Sequence, residues 1–331
     1  MISQQQRLSA ALLSLITAGL ALCGALSPAQ TEAKKLTKPL DYREGTGATK
    51  GGPSYDHPMI WRAQCPELPA LHLVGTMHIP DARFANLSPQ LLKVIDESDA
   101  VYGELDLSDK AALSAELTPH MLLSGGETLE SKLPPELYKQ LKRYLELKGS
   151  NVAMFGMMKP EAIELTLSMI ELLPLFAQGL PGLDDVILQR ALERGKQVGG
   201  VETVQEQIKA IFSKTPEESI ESLRHTLKRL FELHERGVSP HDALMKAFFS
   251  GDAEALQLEL LSELKGAPPS QLKLFERLLN QRNVLMAKRI IKLVRSKKGA
   301  FVFAFGAAHF IGPHSVNQLL EGQGCKVERS R

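Results

Sequence analysis

Short apolar runs of strand length stand at both ends of this chain, and nearly everything between them carries helical periodicity. Strand signals fall at Met59–Gln64, Leu71–Gly75 and Ala100–Leu105, then again at Ala300–Phe305 and near Cys325–Glu328. The first two runs are joined by Cys65-Pro-Glu-Leu-Pro69, which predicts a hairpin. A helix with Leu91, Leu92 and Ile95 on its apolar face precedes Ala100. Helical spacing covers roughly 134–148, 160–173, 182–195, 203–213, 216–236, 240–249, 252–264 and 270–296, with a short helix near 315–321. A strand at about Gln197–Val201 interrupts this series, directly after Arg194-Gly195 closes a helix. No internal repeat of fixed period is visible. The pattern predicts a mixed α/β (α+β) fold, with a central mixed β-sheet carrying a large helical insertion.

Four of these strands run into residues that can do chemistry. Leu71–Gly75 leads to Thr76-Met77-His78, and Ala100–Gly103 leads to Glu104 and then Asp106. Gln197–Val201 ends at Glu202, and Phe301–Phe305 leads to Gly306-Ala-Ala-His309. In open α/β sheets, sites form beyond the carboxyl ends of the strands. Two imidazoles and two or three carboxylates on one sheet edge are an inventory for a metal site or for acid–base catalysis. The two Gly-x-x-His motifs carry weight as a pair: 9 His and 25 Gly in 331 residues predict roughly 0.7 occurrences by chance. Here there are two, and both follow a strand. A glycine at each strand end is expected to let the backbone turn sharply beside a ligand.

Each remaining candidate has a plainer reading. Glu104 alone could be a solvent-facing carboxylate on an edge strand. Glu202 could simply favour a helix N-terminus, and is better placed to support the site than to touch the reaction. Arg282 is more telling, because Leu278, Leu279, Leu285 and Met286 surround it at −4, −3, +3 and +4 in a helix. A guanidinium within an apolar stripe needs a carboxylate, phosphate or substrate partner. Arg277, Lys288 and Arg295 fall off that stripe and read as solvated. His57, His72, His120, His225, His234 and His241 read as surface or capping residues, whereas His314 is close enough to His309 to reach the same mouth.

Composition narrows the classes further. A chain that is 23% charged and 44% hydrophobic is neither collagen-like, coiled-coil nor wholly disordered. A net charge of +1 offers no basic excess for nucleic acid, and 5% aromatics with Trp61 as sole tryptophan offer few stacking platforms. Gly-x-Ser-x-Gly, His-Glu-x-x-His, Walker and dinucleotide fingerprints are all absent from the sequence.

Arg7, the apolar run from about Leu8 to Leu26, and Ser27-Pro28-Ala29 read as a secretory signal peptide over residues 1–29. The same run is about long enough to act as an uncleaved membrane anchor. Residues 30–56 form a polar lead-in, and 57–331 the folded domain. The expected location is exported, periplasmic or secreted. Cleavage removes Cys23 and leaves Cys65 and Cys325, which are either a disulfide or two buried thiols.

In this order, the elements resemble the TraB/GumN family, which is related to the Tiki metalloproteases. The resemblance runs from about Met59 to Val327. It is carried by Leu73-Val-Gly-Thr-Met-His-Ile-Pro-Asp81 with Arg83, Gly103-Glu-Leu-Asp106, Met158-Lys-Pro160 and Gly182-Leu-Asp184. Further on it includes Gly195-Lys-Gln-Val-Gly-Gly-Val-Glu-Thr203 with Gln207, Leu278-Leu-x-x-Arg-Asn283, and Gly306-Ala-Ala-His309 with Gly312. After Gly312 the chain departs, with Pro313-His314-Ser315 where members often have a further glycine. The resemblance implies a mixed α/β fold and, from the Tiki branch, proteolysis dependent on manganese or cobalt. By position it makes His78, Glu104 and His309 the catalytic or metal candidates, with Arg282 a supporting charge.

The expected mechanism is hydrolysis of peptide bonds in a peptide or protein substrate. A divalent ion (Mn, Co or Zn) would be held by His78, His309 and a carboxylate, Glu104 or Glu202, while Arg282 orients a carboxylate or an oxyanion. Two other classes remain open: a binding protein that holds a peptide, haem or similar ligand without turnover, and a metal-free hydrolase with a histidine base.

Overall fold

The computed structural model describes residues 53–106, 110–170 and 172–330. The expected signal peptide and most of the expected lead-in therefore lie outside the described residues. Among these, six strands form one sheet: β1 (Met59–Gln64), β2 (Ala70–Thr76), β3 (Ala100–Gly103), β4 (Gln197–Gly200), β5 (Ala300–Gly306) and β6 (Lys326–Arg329). Their order is β4-β3-β5-β2-β1-β6. The hairpin forms as expected, pairing Met59 with Gly75 through to Ala63 with Leu71, and Glu67 in its turn takes a φ of 60°. β2, β5, β3 and β4 are mutually parallel neighbours. Their carboxyl ends thus share one edge, as the polar residues after the four runs require. β1 and β6 add an antiparallel flank. β5, reading AFVFAFG, is buried over most of its length, as a central parallel strand covered on both faces should be.

Helices occupy the crossovers. α1 (Pro89–Asp96) follows β2, with Ser88 capping the Leu91 amide and Pro89 at the first turn, where its missing N–H costs nothing. The insertion after β3 comprises α2 (Lys110–Met121), α3 (Leu129–Lys132), α4 (Pro135–Leu147), α5 (Pro160–Ile170) and α6 (Leu173–Ala177). α7 (Leu183–Glu193) then returns to β4. α8 (Val204–Phe212), α9 (Pro216–Glu235), α10 (Asp242–Phe249), α11 (Ala253–Glu263), α12 (Pro269–Glu276) and α13 (Arg282–Val294) lead to β5, and α14 (Val316–Glu321) precedes β6. α8 and α9 both begin with capping boxes, Thr203 with Glu206 and Thr215 with Glu218.

Two main apolar cores result. One surrounds the sheet, with Leu73, Val101, Val302, Phe303, Ile187 and Ile290. The other lies between the helical insertion and α9, with Leu129, Leu141, Tyr144, Leu167, Leu223 and Leu227. Cys65 and Cys325 form a disulfide that ties the end of β1 to the residue before β6. Among the described residues no helix is long and apolar enough to cross a membrane.

Four details differ from the sequence reading. Tyr55, placed in the lead-in, is fully buried and stacks on Phe248, so the fold starts before residue 57. α2 and α3 have no counterpart among the expected helices, and the expected 160–173 helix corresponds to α5, with α6 beginning only at Leu173. The 270–296 helix is interrupted by a π turn over Arg277–Gln281. One extra residue in that turn rotates α13 relative to α12, which leaves Leu285 40% exposed while Met286 stays buried. The same rotation accompanies the half-burial of Arg277, whose Nε donates to the Ala210 carbonyl, whereas Lys288 and Arg295 are exposed as the stripe predicts.

Candidate active site

Glu104 is the first residue past β3, and the ladder with β4 continues beyond the strand ends. The Glu202 amide donates to the Glu104 carbonyl (2.8 Å) and the Val201 amide to the Gly103 carbonyl (3.1 Å). This continuation sets the two acids side by side. Both are buried, and Arg282, the first residue after the π turn, reaches them together. Its Nη2 donates to Glu104 Oε2 (2.5 Å) and Glu202 Oε2 (2.6 Å), and its Nε donates to Glu202 Oε1 (3.0 Å). Nη1 is engaged by the Leu278 carbonyl (3.1 Å), and Gln207 Nε2 donates to both acids at 3.2 and 3.3 Å. The buried guanidinium foreseen in the apolar stripe therefore has its carboxylate partners. Both Glu202 oxygens are engaged within this network.

The remaining Glu104 oxygen, Oε1, accepts from the Gly306 amide (2.9 Å) and turns towards the imidazoles. His309 Nε2 lies 3.7 Å from it and His78 Nε2 3.9 Å. The two motifs thus meet around one carboxylate oxygen. Their glycines act differently from the expected sharp turn, since neither adopts a positive φ. A Cβ at Gly75 would lie 3.0 Å from the Ala307 Cβ, so glycine there permits close packing of two strand ends. A Cβ at Gly306 would enter the space between the donors, 3.4 Å from Glu104 Oε1 and 3.7 Å from His78 Nε2.

Each imidazole is braced through its other nitrogen. His78 Nδ1 is 2.7 Å from Asp184 Oδ2, and the Thr76 hydroxyl donates to Asp184 Oδ1. Asp184 arrives in the first turn of α7, whose Leu183 amide donates to the Met77 carbonyl (3.0 Å). His309 Nδ1 is 2.6 Å from Asn283 Oδ1. Neither Asp184 nor Asn283 is singled out by residue chemistry, although both stand within the motifs that carry the family resemblance. His314 approaches through its backbone: its carbonyl accepts from Asn283 Nδ2 (2.9 Å). Asp106 is exposed.

The environment separates the charges. Burial would raise the Glu104 carboxyl, but Arg282 first, then the imidazoles and the Gly306 amide, hold it well below the usual carboxylate range. Burial raises Glu202 above its ordinary value, against the pull of Arg282. Burial disfavours a charged His78, yet Asp184 and then Glu104 outweigh it and bring its pKa to about 9. His309 is pushed down to about 3 by burial, which outweighs Glu104 and is reinforced by Arg282 and His78. His309 is 3% exposed, whereas the His78 side chain is 31% exposed, so His78 marks the mouth.

Among the described residues no group of three or more His, Cys, Asp or Glu side chains is spaced so that it could hold a metal ion. The donors are nonetheless of a suitable kind: two imidazole Nε2 atoms face one ionised carboxylate oxygen, across the space a Cβ at Gly306 would enter. Braced Nδ1 atoms are also characteristic of histidines that bind metals.

The chain is 29% identical over 314 residues to "Metalloprotease TIKI2" of Danio rerio, covering 82% of this chain and 60% of that one. It is 28% identical over 305 residues to "Metalloprotease TIKI1" of Homo sapiens, covering 79% and 60%. It is 25% identical over 259 residues to "Uncharacterized protein YbaP" of Escherichia coli (strain K12), covering 75% and 87%. The chain spans about three-fifths of the length of these TIKI relatives. No solved structure matches it. The TraB/PrgY/gumN family pattern matches residues 59–329, and the chain belongs to that family.

Proposed function

We propose that this protein is an exported hydrolase of peptide bonds that depends on a divalent metal ion. The observation that carries the proposal is the approach of His78 Nε2 and His309 Nε2 to one oxygen of Glu104, with each Nδ1 braced by Asp184 or Asn283. The relatives named metalloproteases support the same reading. His78, His309 and Glu104 would hold the ion. A manganese, cobalt or zinc ion bound there would polarise a carbonyl and make water a stronger acid.

The chain's own groups do the rest. Arg282 and the Gly306 amide keep Glu104 ionised and aimed, so that Oε1 can balance the charge of the cation. Glu202, tied to Arg282 and Gln207, steadies that carboxylate from behind. A peptide enters past His78, the exposed member of the site.

The test is cleavage of a mixed peptide library by residues 30–331, before and after exhaustive chelation. Cleavage lost on chelation and regained on adding Mn, Co or Zn supports the proposal. Absence of cleavage under every ion would refute it.

A metal-free reading has one observation of its own: the two imidazoles are driven apart in pKa, to about 9 and about 3, as an acid and a base would be. Activity that survives chelation would favour it.

A further inference from the structure

The amide of Asn283 is readable in one orientation only. Its side chain lies between the carbonyl of His314 at 2.9 Å and the Nδ1 of His309 at 2.6 Å, and the residue is 2% exposed. A backbone carbonyl only accepts, so the amide nitrogen must face His314 and the amide oxygen must face His309. That oxygen also only accepts, which leaves His309 Nδ1 as the donor. The carbonyl itself is held by an unusual backbone: His314 has a φ of 60°, a region rarely used by residues other than glycine. Its amide donates to Gln318 Oε1 (3.2 Å) in the first turns of α14.

We propose that Asn283 is a positioning residue that fixes His309 as its Nδ1-protonated tautomer, presenting a bare Nε2 to Glu104 Oε1. The polarity of the site is thus set from outside it, by the carbonyl of His314 acting through Asn283. His78 is fixed by a different kind of partner, the carboxylate of Asp184, which can only accept. A neutral amide on one histidine and a carboxylate on the other allow both rings to be oriented without placing a second buried anion behind His309. The value of this orientation for metal binding rests on the proposed function, but the tautomer does not.

Long-range proton–nitrogen correlation NMR on chelated protein labelled with nitrogen-15 histidine reads the tautomer directly, with the His309 signals assigned by their loss in His309→Gln. The Nδ1–H pattern is expected in the unaltered protein at pH 7. Asn283→Leu should lose it, and should weaken zinc binding by about 10- to 100-fold in calorimetry. An Nε2–H or doubly protonated His309 in the unaltered protein would overturn the inference, as would an unchanged pattern in Asn283→Leu. If the leucine variant does not fold, Asn283→Ala, which removes the amide without adding bulk, decides it in the same way. An Nδ1–H ring in a protein that binds no ion supports this inference and counts against the metal reading.

Discussion

Arg282 Nη2 lies 2.5 Å from Glu104 Oε2, so a residue 178 positions along the chain supplies the cation for the first acid beyond β3. The same nitrogen reaches Glu202, and the side chain of Arg282 is only 10% exposed. Removing it would leave two buried carboxylates sharing no cation.

Arg282→Met is therefore expected to destabilise the protein by about 3–5 kcal/mol in denaturant unfolding. Arg282→Lys should recover only part of this, because an ammonium cannot span both acids through a planar fork. A loss below about 1 kcal/mol for the methionine variant would show that the network contributes little.

Stability of the metal-free protein should be highest near pH 6.5 and fall on both sides. The folded pKa of His78 is raised to about 9, so its contribution is complete below 6.5 and is lost as pH rises from there to about 9. His309 is lowered to about 3, so the unfolded chain takes up its proton first, and stability falls as pH drops from 6.5 towards 3. Glu104, also depressed, adds to that loss below its ordinary value of 4.5. His78→Gln should flatten the alkaline limb and His309→Gln the upper part of the acid limb. Thermal melts across pH 3–9 would detect both, and an unchanged profile in either variant would contradict the assignment.

Which features are legible in the sequence depends on whether their signal is local. The four parallel strands and the polar residues after them are legible, since strand length, apolarity and the next residue all sit within a few positions. Arg282 is legible as a charge within an apolar stripe. Asp184 is not, because an acid in the first turn of a helix has an ordinary explanation, and its histidine lies 106 residues away. Asn283 is hidden beside the more conspicuous Arg282. α2 lacks a coherent apolar face and contains Pro119, so periodicity cannot reveal it. The π turn leaves no residue signature, and a stripe drawn through Leu285 is displaced accordingly.

Gly306→Ala isolates the space between the donors. The variant should fold, because the added Cβ meets Glu104 Oε1 at 3.4 Å, an ordinary contact distance. It should still lose activity by about 100-fold, since that Cβ intrudes where the reacting groups must gather. Peptide cleavage beside a thermal melt checks both halves, and full activity would contradict the placement of the site.

The Cys65–Cys325 disulfide closes most of the folded chain across β1 and β6. Paired Cys65→Ser and Cys325→Ser substitutions should cost about 2–5 kcal/mol in denaturant unfolding. Zinc affinity should be unaltered, because the bond lies on the antiparallel flank of the sheet. Equal stability with and without the disulfide would refute this.

The most direct test of the central claim is the metal content of residues 30–331, measured by elemental mass spectrometry beside a His78→Ala/His309→Ala double variant of matched circular dichroism. Near-stoichiometric Mn, Co or Zn in the unaltered protein, absent from the variant, is the predicted result. No ion in the unaltered protein after incubation with each metal, or equal content in both proteins, would contradict it.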